Sequence, residues 1–171
     1  MTKFMNQKND IINKLRAPYE VECNRVIGQS DTLLYRRGNF GGSWDQVICD
    51  AILQERDVEI SLSPGFRWGT TLLPGQKITI DDLYSQTSIN YPEVYRKEMN
   101  GKQLKNILED VCDNIFNPDP FYQQGGDMVR LGGLSYTCNP KNSIGNRISD
   151  LTLMPSGNPI DPSKQYIVGG W

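Results

Sequence analysis

Apolar residues recur at helical spacing in three stretches of this chain. The first, residues 5–16, has a narrow apolar stripe made of Ile11, Ile12 and Leu15. That spacing predicts a short helix, and Pro18 predicts its end, because proline disfavours helical backbone in the residue before it. A helix with so narrow an apolar side packs on one partner only, so we expect a connector from an upstream part of the protein.

The other two stretches predict the principal helices. The helix after Ser43 has one apolar face, formed by Trp44, Val47, Ile48, Ala51 and Ile52. We expect Ser43 to cap it, with Gln46 completing a capping box. The helix after the turn dipeptide Asn100-Gly101 has a second face, formed by Leu104, Ile107, Leu108, Val111, Cys112 and Ile115. Its opposite side is charged and is expected to be solvated, with Lys102, Lys105, Glu109 and Asp113.

Alternating apolar and polar residues predict short strands in most of the remaining chain. The clearest runs from Asp57 to Leu62, where Val58, Ile60 and Leu62 alternate with polar residues. Other predicted strands lie at 26–28, 32–35, 78–80, 94–99, 134–138, 148–152 and 166–168. One or two helical turns are expected near residues 82–84. Two principal helices among about six to eight short strands indicate a single domain of the α+β class.

Composition narrows the possible functions. The net charge is −2 and the sequence pI is about 5.2, so no broad basic surface favours nucleic acid. No apolar stretch is long enough to cross a bilayer, and no apolar segment typical of a signal peptide follows the first residues. The chain contains no histidine, which excludes a Ser-His-Asp or Cys-His mechanism and removes the commonest metal ligand. We therefore expect no membrane or nucleic-acid partner and no cofactor bound by this domain.

The four cysteines form no C-x-x-C pair, so a zinc ribbon or a thioredoxin-type motif is not indicated. They stand at Cys23, Cys49, Cys112 and Cys138. Cys112 falls on the apolar face of a predicted helix and Cys138 in a predicted strand, so both are expected to be buried thiols. An oxidising compartment would permit disulfides, and the sequence leaves their pairing open.

Three glycine-containing loops carry the candidate binding residues. Ser-Pro-Gly-Phe-Arg-Trp-Gly places Arg67 and Trp68 in a loop at the end of a strand. The planar guanidinium of an arginine fits a carboxylate, phosphate or sulfonate edge with two hydrogen bonds. The alternative is a surface turn whose arginine faces water. Trp68 is expected to pack or to form a wall of a cleft.

The two other loops lie elsewhere in the sequence. Arg-Arg-Gly-Asn-Phe-Gly-Gly precedes the second helix and contains Arg37 and Asn39, and a helix N-terminus after exposed amides is suited to anions. Phe-Tyr-Gln-Gln-Gly-Gly-Asp-Met follows the third helix and contains Gly125, Gly126 and Asp127. For both loops, structural turns or surface ion pairs are the alternatives.

These motifs, in this order, resemble the C-terminal domain of the 5′-nucleotidase family. The similarity runs from about residue 11 and includes E-M-N-G-K-Q-L and G-G-L-S-Y. Within that superfamily the chain is similar to the SoxB family of sulfate thiohydrolases in R-R-G-N-F, S-P-G-F-R-W-G-T-T, I-L-E-D-V-C-D-N-I-F-N-P-D-P and Y-Q-Q-G-G-D-M-V-R. Nucleotidases stack a base between two phenylalanines, and the corresponding positions here fall near Asn90-Tyr91 and at Met128, so the resemblance implies poor nucleotide binding.

The resemblance implies a function that this chain performs only in part. An N-terminal metallophosphoesterase domain of the same protein, with two manganese ions, would release sulfate from a cysteine S-thiosulfonate on the SoxYZ carrier in the periplasm. Residues 1–18 would be the connector helix and 19–171 a C-terminal domain that covers the substrate, inactive alone and truncated at its C-terminus. Arg67 would contact the leaving anion, and no residue of this chain would be catalytic.

The remaining candidates receive supporting roles from the same resemblance. Arg37 and Asn39 would face the interdomain cleft, and Gly125 and Gly126 would let a thin carrier arm approach. Asp127 would orient Arg67 or Arg37. Two other functions remain open, namely the substrate-specificity domain of a 5′-nucleotidase or UDP-sugar hydrolase, and a stand-alone peptide-binding module.

Overall fold

A computed structural model describes the backbone of residues 3–66, 69–87 and 93–171. Within these residues the chain forms five α-helices: α1 (Lys3–Arg16), α2 (Glu20–Cys23), α3 (Ser43–Arg56), α4 (Ile80–Thr87) and α5 (Gly101–Phe116). The same residues form eight strands: β1 (Val26–Gln29), β2 (Ile60–Ser63), β3 (Lys77–Thr79), β4 (Tyr95–Asn100), β5 (Arg130–Gly132), β6 (Leu134–Cys138), β7 (Ile148–Leu153) and β8 (Gln165–Gly170). The predicted α+β class is confirmed.

A four-stranded sheet of order β4-β8-β2-β5 is the centre of the fold. β2 and β8 run parallel, while the two outer pairs are antiparallel. β6 and β7 form an antiparallel pair, and β1 and β3 form another. The described helices include none long and apolar enough to span a bilayer.

The main core lies between the four-stranded sheet, helix α5 and the β6–β7 pair. Its buried members include Ile60, Met99, Leu104, Leu108, Cys112, Met128, Ile148, Tyr166 and Val168. A smaller cluster of Leu34, Trp44 and Leu72 packs under the start of α3. Burial of this apolar surface is the dominant favourable term in the stability of the domain.

Strand β2 corrects the predicted alternation. Ser61 and Ser63 are as buried as Ile60 and Leu62, because β2 lies inside the sheet with helix α3 packed against it. The hydroxyl of Ser61 donates to the carbonyl of Cys49 at 2.9 Å, which satisfies a polar group in this dry environment. Small polar residues therefore mark close packing here and not a solvated face.

Helix α3 begins differently from the prediction. Gly42, not Ser43, is the N-cap, and its amide donates to the carboxylate of Asp45 at 2.9 Å. The hydroxyl of Ser43 instead accepts from the amide of Tyr35 and donates to the carbonyl of Leu33. The buried face of the helix is accordingly rotated: Asp45 and Cys49 point inward, whereas Val47 and Ala51 are exposed.

Three smaller predictions also need correction. The chain continues as a 3₁₀ turn at Ala17–Tyr19 and then α2, because Pro18 occupies the first turn of a helix, where its missing amide is tolerated. The expected strand at 32–35 is only an isolated bridge between Leu34 and Leu72. Glu109 is buried, not solvated, and accepts the backbone amides of Arg147 and Ile148 at the start of β7.

Candidate functional site

The three predicted loops meet at one end of the four-stranded sheet. In chain order, the first loop is residues 36–42, the second is 63–69 and the third is 121–128. The amide of Met128 donates to the carbonyl of Asn39 at 2.8 Å, which joins the first loop to the third. Gly65 lies so close to the third loop that a Cβ placed there would be 2.6 Å from the carbonyl of Met128 and 2.8 Å from the Cβ of Asp127. A side chain at position 65 would therefore push the second and third loops apart.

A charged cluster, formed by Arg36, Asp45, Asp127 and Arg130, lies beneath these loops. Asp45 Oδ1 is 2.7 Å from Arg36 Nε, and Asp45 Oδ2 is 3.2 Å from Arg130 Nε. Asp127 Oδ2 is 3.2 Å from Arg130 Nη2. All four side chains are at most 4% exposed, so we call this set the buried ion cluster. Two cations and two anions balance, as burial of charge requires.

The arginines of the buried ion cluster also bind the backbones of the loops. Arg36 Nη2 donates to the carbonyl of Pro64 at 2.8 Å, and its Nη1 donates to the carbonyl of Gln86. Arg130 Nη2 donates to the carbonyl of Gly38 at 2.8 Å. Each guanidinium therefore connects a carboxylate in the interior to a carbonyl near the surface, which fixes the loops relative to the sheet.

Helix α4 holds the far side of the second loop. The side-chain amide of Gln86, which is fully buried, donates to the carbonyl of Thr70 at 2.8 Å. Gly69 has a φ of +88°, and a Cβ there would collide with the Gln86 amide. The left-handed backbone at position 69 favours glycine, and a larger residue would also displace the Gln86 amide. Residues on both sides of Arg67 and Trp68 are anchored in this way, while Arg67 and Trp68 themselves lie outside the described residues.

Aromatic rings cover the guanidinium of Arg36. Its Cζ lies 5.6 Å from the ring centroid of Phe66 and 5.7 Å from that of Trp171. The two rings are 6.4 Å apart at 70°, and the indole N–H of Trp171 donates to the hydroxyl of Ser63 at 2.9 Å. These rings exclude water from the outer side of the cluster, which strengthens the ion pairs inside it.

The donor capacity of the cluster is not fully used. Nη1 of Arg130 is buried and has no hydrogen-bond acceptor among the described residues. Arg130 borders a cavity of about 270 Å³ that is also lined by Gly41, Gly42 and Gln46 at the start of α3. An oxygen atom of a water molecule or ligand would satisfy this donor, because an unpaired buried N–H costs free energy.

The candidate residues occupy different environments. Arg37 is exposed, and its neighbour Arg36 is the arginine that enters the buried ion cluster. Asn39 is an exposed residue of the first loop. Gly125 and Gly126 have φ values of +76° and +96°, and nothing lies within 4 Å of a Cβ built on either one. Open space beside two left-handed glycines suits the approach of an extended segment.

The carboxylate of Asp127 contacts Arg130, an arginine that the sequence patterns did not single out. Asp45 and Gln86 were missed as well. A signal was available for Asp45, because an acid at the third position of a helix after two glycines is typical of a capping box. A second signal was Arg130 itself, a charge within the otherwise apolar run Met128–Leu134.

The two positions that correspond to the base-stacking phenylalanines of nucleotidases can be located only in part. Met128 is fully buried, and the Asn90-Tyr91 position lies outside the described residues.

Comparison with known proteins places this geometry in context. Residues 26–170 match the family described as 5′-nucleotidase, C-terminal domain. The structure of the Thermus thermophilus sulfate thiohydrolase SoxB in complex with glycerol superposes with a TM-score of 0.91 and 38% identity, covering 96% of this chain and 30% of that chain. Comparison with curated protein sequences gave no significant match.

Two nucleotidase structures share the fold at lower identity. The 5′-nucleotidase precursor from Thermus thermophilus has a TM-score of 0.74 and 17% identity, over 95% of this chain and 32% of that chain. The Haemophilus influenzae NAD nucleotidase NadN has a TM-score of 0.68 and 20% identity, over 96% and 31%. This chain thus spans about a third of the length of each relative. With a family match over residues 26–170, the chain belongs to the 5′-nucleotidase C-terminal domain family.

Proposed function

We propose that this chain is the substrate-covering and carrier-recognition domain of a SoxB-like hydrolase, which releases sulfate from a cysteine S-thiosulfonate on the SoxYZ carrier. The observation that supports this most strongly is the 38% identity to a sulfate thiohydrolase over 96% of the chain. The nucleotidase structures share 17% and 20% identity with this chain, and at that level the likeness concerns the fold alone.

The proposal assigns bond cleavage to another part of the protein. An N-terminal metallophosphoesterase domain would hold two manganese ions, which when bound supply a water molecule activated for hydrolysis. The described residues of this chain contain no group of three His, Cys, Asp or Glu side chains that could hold a metal ion. The reaction would take place in the periplasm, where the carrier would be met.

The residues of this chain would bind and orient the substrate. Arg67 would contact the sulfonate, because a fixed positive charge stabilises the negative charge that grows on the leaving sulfate. Arg37 and Asn39 would face the same cleft, and Trp68 would form part of its wall. The left-handed Gly125 and Gly126 with open space beside them would accommodate the carrier arm. The buried ion cluster holds the backbone of these loops, which pre-organises the site.

The first experiment compares substrates in the full-length enzyme. Sulfate release from a carrier peptide bearing a cysteine S-thiosulfonate should be measured beside phosphate release from AMP, at equal enzyme concentration. We expect saturable sulfate release and no phosphate release above background. Hydrolysis of AMP, or saturable binding of adenosine by titration, would support the nucleotidase alternative and contradict the proposal.

The second experiment tests the anion contact. In full-length enzyme, Arg67→Ala should retain folding and metal content and lose at least about tenfold in turnover, because a transition-state contact is removed. Arg56→Ala is the matched control, since Arg56 is an exposed arginine in the last turn of α3. An unchanged rate for Arg67→Ala would remove Arg67 from the site without contradicting the substrate assignment.

A further inference from the structure

Two cysteines that are distant in sequence meet at the packing interface of the main core. Cys112 lies in the C-terminal half of α5, and Cys138 is the last residue of β6. Their sulfur atoms are 3.5 Å apart, and both are free thiols. Contact between two thiols on different elements places them within a short side-chain movement of a covalent bond.

The two thiols differ in access. Cys112 is fully buried within the main core. Cys138 is half-buried and lines an open cavity of about 400 Å³, together with Phe40, Leu131 and Tyr136. A reagent that enters this cavity therefore reaches Cys138 first, and Cys112 stays behind it.

We propose that Cys112 and Cys138 form a reversible disulfide by exchange with a disulfide-containing oxidant, either a small molecule or a protein. The Cys138 thiolate attacks the disulfide of the oxidant, which forms a mixed disulfide and expels one thiolate. Cys112 then loses its proton and its sulfur attacks Cys138 Sγ, which forms the intramolecular bond and expels the second thiolate; that thiolate takes up a proton. The pair loses two electrons and two protons, and the oxidant is reduced to two thiols.

The environment of Cys112 favours this order of attack. Burial raises the pKa of the Cys112 thiol to about 12, so it is protonated near neutral pH and is a poor first nucleophile. The guanidinium of Arg147 acts in the opposite direction and lowers that pKa. Once Cys138 carries the mixed disulfide, Cys112 has to lose its proton and then react with the sulfur atom that it already contacts.

The bond would join α5 to β6 beside the first loop of the candidate site. Phe116, the last residue of α5, stacks on Phe40 with ring centroids 6.4 Å apart, and Phe40 lines the same cavity as Cys138. The disulfide would therefore fix two walls of the cavity under the loop that contains Arg37 and Asn39. This inference rests on the core packing and is independent of the proposed substrate.

Peptide mapping of the intact protein tests the pairing. The protein is incubated with an excess of oxidised over reduced glutathione, alkylated in denaturant and digested with trypsin. The four cysteines fall on separate tryptic peptides: 17–25, 38–56, 106–130 and 131–141. We expect peptide 106–130 linked to 131–141, with Cys23 and Cys49 alkylated. Four alkylated cysteines, or a link that involves Cys23 or Cys49, would overturn the proposal.

Variants separate a specific pair from general oxidation. Cys138→Ser, at the more accessible position, should abolish the loss of two thiols on oxidation. Cys23→Ser is the matched control, since Cys23 is also half-buried, and should leave that loss unchanged.

Alkylation rates test the order of attack. In the reduced native protein, N-ethylmaleimide should modify Cys138 at least about tenfold faster than Cys112. Faster modification of Cys112 would overturn the order of attack.

Discussion

The carboxylate of Asp45 holds two guanidiniums at once and also accepts the amide of Gly42. Arg130 also contacts a second carboxylate, that of Asp127. Removal of one partner from a buried ion pair leaves an unpaired charge, which destabilises the fold strongly. Replacement of the whole pair by apolar residues, by contrast, is often close to neutral. The stability of the three loops therefore depends strongly on this one acid.

Replacement of Asp45 by asparagine should destabilise the chain by about 3–5 kcal/mol, because Arg36 and Arg130 keep their charges in a dry interior. The measurement is urea unfolding followed by circular dichroism. Asp50→Asn is the matched control on the same helix, where the carboxylate is exposed and bonds Gln46, and should change the free energy of unfolding by less than about 0.5 kcal/mol. Equal effects of the two variants would contradict the role of the cluster.

Adjacent arginines show where residue-level prediction stops. The sequence indicated a positively charged loop at positions 36–37, and nothing local distinguishes the two residues. The partners of Arg36 lie 9, 28 and 50 positions away, at Asp45, Pro64 and Gln86. Its burial is decided by the tertiary arrangement of three loops, which no local pattern encodes.

Tyr136 gives a prediction for alkaline pH. Burial raises the pKa of its hydroxyl to about 12, above the ordinary value of about 10. The unfolded chain therefore loses this proton first, so the free energy of unfolding falls as the pH rises from about 10 to 12. After allowance for partial exposure, the loss should be about 1–2 kcal/mol.

Unfolding measured across that pH range checks the effect of Tyr136. Tyr136→Phe should have a shallower loss of stability than the parent chain, and Tyr122→Phe should match the parent, because Tyr122 is 67% exposed. Burial also raises the pKa of Cys49, to about 11, and of Cys112, to about 12, so the parent chain loses further stability between pH 9 and 12. Only the difference between variants reports on Tyr136. Identical slopes for all three proteins would contradict the assignment.

At the scale of elements, long periodic segments were predictable and short buried ones were not. Helix α5 follows its apolar spacing, and Asn100 caps it with Gln103 in a capping box. Strand β5 was missed because its three residues, Arg130–Gly132, contain a charge and a glycine. Both residues are buried because the strand pairs with β2 and packs against helix α3.

Glu109 connects α5 to β7 and offers a test at this scale. Its carboxylate accepts the amide of Arg147 at 2.9 Å and that of Ile148 at 3.0 Å. Glu109→Gln replaces one acceptor oxygen with a donor that faces a backbone N–H, so a loss of about 1–3 kcal/mol is expected. The exposed neighbour provides the control, since Asp110→Asn should stay within about 0.5 kcal/mol of the parent chain. An unchanged free energy of unfolding in Glu109→Gln would show that these hydrogen bonds contribute little to stability.

At the scale of the whole molecule, the central sheet is built from distant segments. β8, at the end of the chain, pairs with β4 on one side and with β2 on the other. The α+β class could be predicted from the apolar patterns, but the order of strands could not, because pairs such as Ile60 with Val168 depend on the complete fold.

Helix α1, in contrast to the central sheet, makes few contacts through its apolar residues. Its apolar residues Ile11 and Leu15 are 60% and 69% exposed, and Arg16 joins it to α4 through an exposed ion pair with Asp81 at 3.0 Å.

Removal of residues 1–16 should therefore change the free energy of unfolding by less than about 1 kcal/mol, because an exposed ion pair contributes about 0–1 kcal/mol and exposed apolar side chains bury little surface. Removal of residues 165–171 is the contrasting deletion. It takes away β8 and with it two of the three pairings in the four-stranded sheet, so we expect no cooperative unfolding at all. Urea titrations of the two shortened chains beside the parent make the comparison. If the first deletion lowers the free energy of unfolding by several kcal/mol, α1 is part of the domain. If it lowers that free energy by less than about 1 kcal/mol, the apolar residues of α1 are free to pack outside this fold, as the connector interpretation of residues 1–18 requires.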